Sequence, residues 1–329
     1  MDSAIDLLST GNVDDMIELL DIASSGSDIS VKIDGAPAIV MWSEFPGLKG
    51  PGVSYKLIIQ QTQKGTPGVY FTTDKEIEEH FNSKNLDSAT KQHRIDSFKN
   101  ALKLAKTVRP NIMLWGDTFY GSSKELSSVG GCPACQPNTL QYIFTDKSYI
   151  SQIRKSEFGI FIHTIADKNC NTKRVSSVSN LVDTSKAFIL DPNDTKPTTK
   201  RVTVSKDIKE LSANLNTINE LRDQKFLKLF RKSLKIKDFD YMSKLYPVAT
   251  KTLLDSITVL NEIQTKIINT IRSAGFYTQY EGEESGGEGF VVSTETKAMK
   301  LLVDDFYEKN IKHIRSLKEC LLDSLHTYR

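Results

Sequence analysis

The stretch Ile29-Ser30-Val31-Lys32-Ile33-Asp34-Gly35-Ala36-Pro37-Ala38-Ile39-Val40-Met41-Trp42 decides how this chain is read. Two short β-rich runs, Ser30–Ile33 and Ala38–Trp42, flank a glycine- and proline-bearing turn. A lysine at a strand end becomes a nucleophile only with a neutral amine, and burial and neighbouring cations bring a lysine's pKa down toward working pH. A glycine in the turn lets the backbone approach a ligand closely. Taken alone, the tetrapeptide Lys32-Ile33-Asp34-Gly35 fits a hairpin with a surface lysine equally well.

Outward from this stretch the texture alternates. Ser3 to Ala23 reads as short helices broken at Ser9-Thr10-Gly11-Asn12. Tyr55 to Ile59, Ile112 to Trp115, Leu140 to Phe144 and Phe158 to Ile165 read as strands, and Asp74 to Thr107 as helical. Residues 207–273 contain no glycine and a single proline, Pro247, with apolar residues at three- and four-residue spacing. That segment is a helical insert. Residues 275–303 return to strand texture, and 304–329 read as one C-terminal helix. The expected division is a β-rich domain over 1–200 and 274–303, the insert over 201–273, and the helix 304–329. The fold class is α+β.

Composition narrows the classes. The chain has 329 residues, 39% hydrophobic and 26% charged, with 18 Gly and 10 Pro, which excludes wholesale disorder and fibrous repeats. At roughly 150 residues per domain, two domains are expected. No apolar run approaches a membrane span. The acidic N-terminal stretch lacks the basic region of a signal peptide, so the expected compartment is the cytoplasm. Four cysteines do not form a disulfide framework. The net charge of +2 is uneven: residues 200–272 hold 15 basic and 8 acidic residues, +7, leaving −5 elsewhere.

Further segments follow in an order that carries information. They are Thr62-Gln63-Lys64-Gly65, Trp115-Gly116-Asp117, the aromatic strand Phe158-Gly159-Ile160-Phe161-Ile162-His163, Glu288-Gly289-Phe290-Val291-Val292, and Lys297-Ala298-Met299-Lys300-Leu301-Leu302. The ordered set resembles the covalent nucleotidyltransferase superfamily of ATP-dependent DNA ligases, RNA ligases and mRNA capping enzymes. The likeness is nearest to compact ligase-like proteins of tailed phages, whose first motif reads K-x-D-G-x-P. It covers residues 28–165 and 280–303. It implies a ligase-type nucleotidyltransferase domain of antiparallel sheets carrying the helical insert and the C-terminal helix. No OB-fold domain is expected, since the residues after Lys300 read as helix. If phage-encoded, the protein would work in the host cytoplasm.

The resemblance also implies roles. Lys32 would attack the α-phosphorus of ATP and hold AMP. Glu288 would bind Mg²⁺ (or Mn²⁺), which favours a few carboxylates together with water and phosphate oxygens. Lys300 would contact the α-phosphate. Asp117 would bind the ribose or orient Lys32, Phe161 would stack on adenine, and Val31 and Ile33 would wall the base pocket. Asp34, Gly35, Lys64 and Lys297 complete the cofactor-binding set. On a strand of period two, Lys297 and Lys300 point to opposite faces, so only one reaches the phosphate, and Lys300 is favoured.

Two departures bear on the substrate. Pro37 stands where the family often has Arg, and Gln63, with Lys64 beside it, replaces the usual second-motif Arg. The partner implied is a polynucleotide with a 5′-phosphate end. RNA or single strands are favoured over a DNA nick, and a degenerate ligase-like binding protein is the third reading. Arg222, Lys225, Lys228, Lys232 and Lys235 recur at three or four residues. They form a stripe for a phosphate backbone, with Phe226 and Phe230 packing on another face. Cys132-Pro133-Ala134-Cys135 reads as a loop with two free thiols, since a zinc site needs a second pair.

Overall fold

The computed structural model describes residues 2–33, 35–57, 69–199, 202–272, 275–285, 289–294 and 297–301. The architecture is α+β with mostly antiparallel sheets. It divides into two compact units: Met1–Lys32 with Pro197–Arg272 and Gly289–Arg329, and Ile33–Lys196 with Ser273–Glu288.

The first unit is built on a sheet of β1 (Asp2–Ser3), β18 (Ala298–Leu301), β17 (Phe290–Ser293) and β2 (Ile29–Val31), in that spatial order. Helices α1 (Ala4–Ser9) and α2 (Val13–Ser25) pack on it. Ser3 and Asp6 start α1 by a reciprocal capping box, and Gly26 in the left-handed conformation ends α2. Alternation along the strands puts Ile29, Val31, Phe290, Val292, Met299 and Leu301 on one face, all buried. Lys297, on the Met299 side of its strand, reaches Asp15 and Glu18 of α2. The apolar face is therefore the helix-covered one.

The helical segment of this unit comprises α6 (Ser205–Asn216), α7 (Gln224–Ile236), α8 (Asp240–Leu245) and α9 (Pro247–Ile268), with a 3₁₀ turn at Asn219–Arg222. It packs on the N-terminal helices: α6 and α9 against α2, and α7 against α1. Val202 N–H also donates to the Ser24 carbonyl at 3.0 Å. The segment thus shares a unit with residues 1–32 and 289–329, a different grouping from the sequence-based division.

The second unit holds a larger sheet in the order β11 (Thr172–Arg174), β10 (Gly159–Asp167), β6 (Ile112–Tyr120), β3 (Ala38–Trp42), β4 (Gly52–Ser54) and β5 (Tyr70–Phe71), with β12 (Phe188–Leu190) parallel to β10. Helices α3 (Asp74–Asn82) and α4 (Ser88–Ala105) bury Ile77, Phe81, Phe98 and Leu102 against Ile39, Met41, Leu114 and Ile160. The other face carries a smaller cluster of Val40, Trp42, Met113 and Ala166. A second sheet runs β16 (Glu283–Ser285), β15 (Phe276–Tyr280), β9 (Gln141–Phe144), β8 (Cys132–Cys135) and β7 (Ser127–Val129). It is followed by α5 (Lys147–Ile153), capped by Asp146.

Three expectations need correcting. The strand expected at Tyr55–Ile59 forms earlier, at Gly52–Ser54, where it pairs with β3; residues 58 and 59 lie outside the described residues. The Cys132–Cys135 loop is a strand, because Gly130 and Gly131, both at positive φ, close a hairpin before it. Arg222 sits in the 3₁₀ turn and not on the helix, because Asp223 caps α7 after it. The C-terminal helix 304–329 lies outside the described residues.

Candidate functional site

In the first unit, the backbone of Lys32 lies beside that of Gly289. Lys32 N–H donates to the Gly289 carbonyl at 2.9 Å, one step beyond the pair Val31–Phe290. Ser30 opposes Val291, and Val291 opposes Lys300 across β17 and β18. Directly opposed residues share a face, and so do residues two apart. Ser30, Lys32, Val291 and Lys300 therefore lie on one face, the one away from α1 and α2. Both lysines are half-buried there. Gly289 adopts φ +118°, a conformation that side chains rarely take.

Lys297 is placed differently. Its ammonium lies 2.8 Å from Asp15 Oδ1 and 2.5 Å from Glu18 Oε2, and the hydrogen bonds to Asp15 and then Glu18 raise its pKa. It tethers α2 on the face opposite Lys300. Val31 also faces the helices, so it does not share a wall with Lys32. Ile33 is buried in the second unit.

In the second unit, the turn Gly35–Pro37 is pressed onto β6. Ala36 N–H donates to the Thr118 carbonyl, and Thr118 N–H to the Pro37 carbonyl, each at 3.1 Å; the Ala36–Pro37 peptide is cis. A Cβ on Gly35 would sit 2.3 Å from the Thr118 carbonyl oxygen, so glycine is required for the close approach. Ala38, Asp117 and Phe161 oppose one another across β3, β6 and β10 and share a face. Phe161 is buried, while Asp117 keeps a partly exposed carboxylate.

Two histidines were given no role from the sequence. His163 Nε2 lies 3.4 Å from Asp117 Oδ2, its Nδ1 meets Thr164 Oγ1 at 2.8 Å, and its ring stands beside Trp115 and Phe161. The signal was present, since His163 follows Phe161 by two on a strand. His93, on α4, bonds Glu125 Oε2 through Nδ1 at 2.7 Å and the Ala36 carbonyl through Nε2 at 2.6 Å. No local pattern pointed to it, because its partners lie far away in sequence.

Asp34, Lys64 and Glu288 lie outside the described residues. Lys225, Lys228, Lys232 and Lys235 are exposed on α7, while Phe226, Leu227 and Phe230 are buried on its other side. Burial raises the Cys135 thiol pKa, as does Glu125 more weakly. Among the described residues no group of three or more His, Cys, Asp or Glu is placed to hold a metal. No helix among them is long and apolar enough to cross a membrane.

No curated protein and no solved structure matches the chain. A family model described as a family of unknown function, DUF6267, matches residues 7–252. That span reaches β2 and the turn after Lys32 but stops short of β17 and β18. The chain belongs to the DUF6267 family.

Proposed function

We propose that this protein is an ATP-dependent polynucleotide ligase working through a covalent lysyl-AMP on Lys32. The reading combines the ordered motifs with one structural observation. Segments at opposite ends of the chain pair as neighbouring strands, and the pairing sets Lys32 and Lys300 on the same face of one sheet. Two amines on one surface suit a triphosphate: one attacks, and the other stabilises charge developing on the α-phosphate.

In the first step, neutral Lys32 Nζ attacks the α-phosphorus. A P–N bond forms, the bond to the β-phosphate oxygen breaks, pyrophosphate leaves and the amine gives up a proton. A 5′-phosphate oxygen of the polynucleotide then displaces the lysine from AMP. Last, a 3′-hydroxyl attacks that phosphate, the strand is joined and AMP departs. Glu288 would hold Mg²⁺, which supplies charge neutralisation at the phosphate oxygens. The resemblance gives adenine stacking to Phe161 and a ribose or orienting role to Asp117. The exposed lysines of α7 would track the polynucleotide backbone. RNA or single-stranded ends are taken as the preferred substrate, with a nicked DNA duplex as the alternative.

The test is direct. The protein is incubated with α-labelled ATP and Mg²⁺, and covalent label is sought. Labelled wild type and unlabelled Lys32→Ala support the proposal. No label from ATP, GTP or NAD overturns it and leaves the reading as a ligase-like binding protein. Joining assays on single-stranded RNA and nicked duplex DNA then choose the substrate.

A further inference from the structure

The imidazole of His93 sits between two hydrogen-bond acceptors. A carboxylate oxygen of Glu125 lies 2.7 Å from Nδ1, and the main-chain carbonyl of Ala36 lies 2.6 Å from Nε2. Neither atom can donate, so both contacts are satisfied only when both ring nitrogens carry protons. A neutral ring has one N–H and would set a lone pair against an oxygen at the other contact. The anchor is itself held. Glu125 Oε2 also accepts from Gly121 N–H at 3.0 Å, and Asn100 Nδ2 donates to the Gly121 carbonyl at 2.8 Å. A Cβ on Gly121 would meet the His93 carbonyl at 2.8 Å, so α4 runs directly against the end of β6.

We infer that His93 is a positioning residue: as an imidazolium it ties the Ala36 carbonyl to Glu125 and so holds the turn Gly35–Pro37, which begins at the last residue of the nucleophile motif, against β6. The catalytic half of the inference rests on the reading of Lys32 as nucleophile; the holding of the turn does not.

The electrostatics agree with the geometry. Burial lowers the pKa of His93, but the hydrogen bonds to Glu125 and Ala36 and the charge of Glu125 outweigh it, and the net shift is upward. Arg94, on the same helix, opposes the charge. The turn and the end of β6 present backbone at Ala36, Thr118 and Gly121, and the buried Cys135 thiol, raised by burial and by Glu125, stays neutral. The sign follows. The folded pKa lies above the unfolded one, so the clamp contributes fully below the ordinary imidazole value. It is lost as pH rises through the raised folded value.

The experiment is amide hydrogen exchange at Ala36 and Thr118 in the full chain, corrected for intrinsic rates, across neutral to alkaline pH. Single-turnover labelling of Lys32 by ATP is followed in parallel. In the wild type, protection at these amides falls about 10- to 100-fold as pH rises, the worth of one charge-assisted hydrogen bond. The labelling rate relative to that of His93→Gln at the same pH, which cancels the deprotonation of Lys32 itself, falls over the same range. His93→Gln shows low protection without a pH step. Glu125→Gln, which keeps an acceptor but loses the charge, moves the step to lower pH. A wild type without the step, or a step that Glu125→Gln leaves in place, overturns the clamp. A step that labelling does not follow overturns the positioning role. If the wild type takes no label at all, the ligase reading fails while the exchange data still decide whether His93 holds the turn.

Discussion

Gly35→Ala tests how tightly the turn after Lys32 is pressed onto β6. The added methyl carbon would lie 2.3 Å from the Thr118 carbonyl oxygen, 2.9 Å from the Thr118 carbonyl carbon and 3.0 Å from the Asp117 carbonyl carbon. Ordinary carbon contacts lie near 3.5–4.0 Å, so the overlap approaches an ångström. The obstructing atoms are backbone, in a nine-residue strand that pairs with β3 on one side and β10 on the other. They cannot swing aside as a flexible side chain would. Overpacking of this kind costs about 1–3 kcal/mol, and the immobile partner puts this case at the upper end. Replacing glycine stiffens the unfolded chain and returns about 0.4–1 kcal/mol. The net loss is about 2 kcal/mol, a fall in melting temperature of about 4–8 °C for a unit of this size. Thermal unfolding followed by near-ultraviolet circular dichroism measures it. Gly130→Ala is the matching control: that glycine has φ +57° and nothing within 4 Å of its Cβ position, so its cost is the left-handed backbone alone, about 1–2 kcal/mol. A Gly35→Ala protein melting within a degree of the wild type would refute the close approach, and with it the anchoring of the turn.

Other perturbations have outcomes set by the same contacts. Lys300→Met should abolish ATP labelling, whereas Lys297→Met should leave it intact with a small loss of stability, because only Lys300 shares the face of Lys32; equal effects would contradict the strand register. Asp191 is buried, and its carboxylate accepts from the backbone N–H groups of Val178, Asn193 and Asp194 at 2.9, 2.8 and 3.1 Å. Asp191→Asn turns an amide donor toward at least one of them and should cost about 1–3 kcal/mol in urea unfolding; an unchanged midpoint would show that the contacts are not held. Replacing Lys228, Lys232 and Lys235 with Gln should flatten the salt dependence of single-stranded polynucleotide binding by up to about 2 in log–log slope. An unchanged slope would remove α7 as the contact surface.

What was legible in the sequence followed from local rules. The helix break before Val13, the strands expected at Ser30–Ile33 and Ala38–Trp42, and the helical texture of residues 207–273 come from period and punctuation, and the strands form at Ile29–Val31 and Ala38–Trp42 and the helices between Ser205 and Ile268. The opposite facing of Lys297 and Lys300 came from strand alternation alone and is seen in the tether to α2. Arg222 was misread although its signal was present: Asp223 offers a capping carboxylate to the N–H of Lys225, so the helix begins after the arginine, not through it. Other features depend on pairing between distant segments. An apolar helix face announces that something covers it, not what, and so the cover of α6 and α9 by α2 was beyond reach. His93 is the sharpest case. A histidine in a polar helix carries no local sign of a partner, and its role is defined by a carbonyl and a carboxylate far from it along the chain. The roles proposed for the motif residues rest on their own types and spacing. His93 offers only the two nitrogens of its ring, and which acceptors meet them is decided by the packing of α4 against the end of β6.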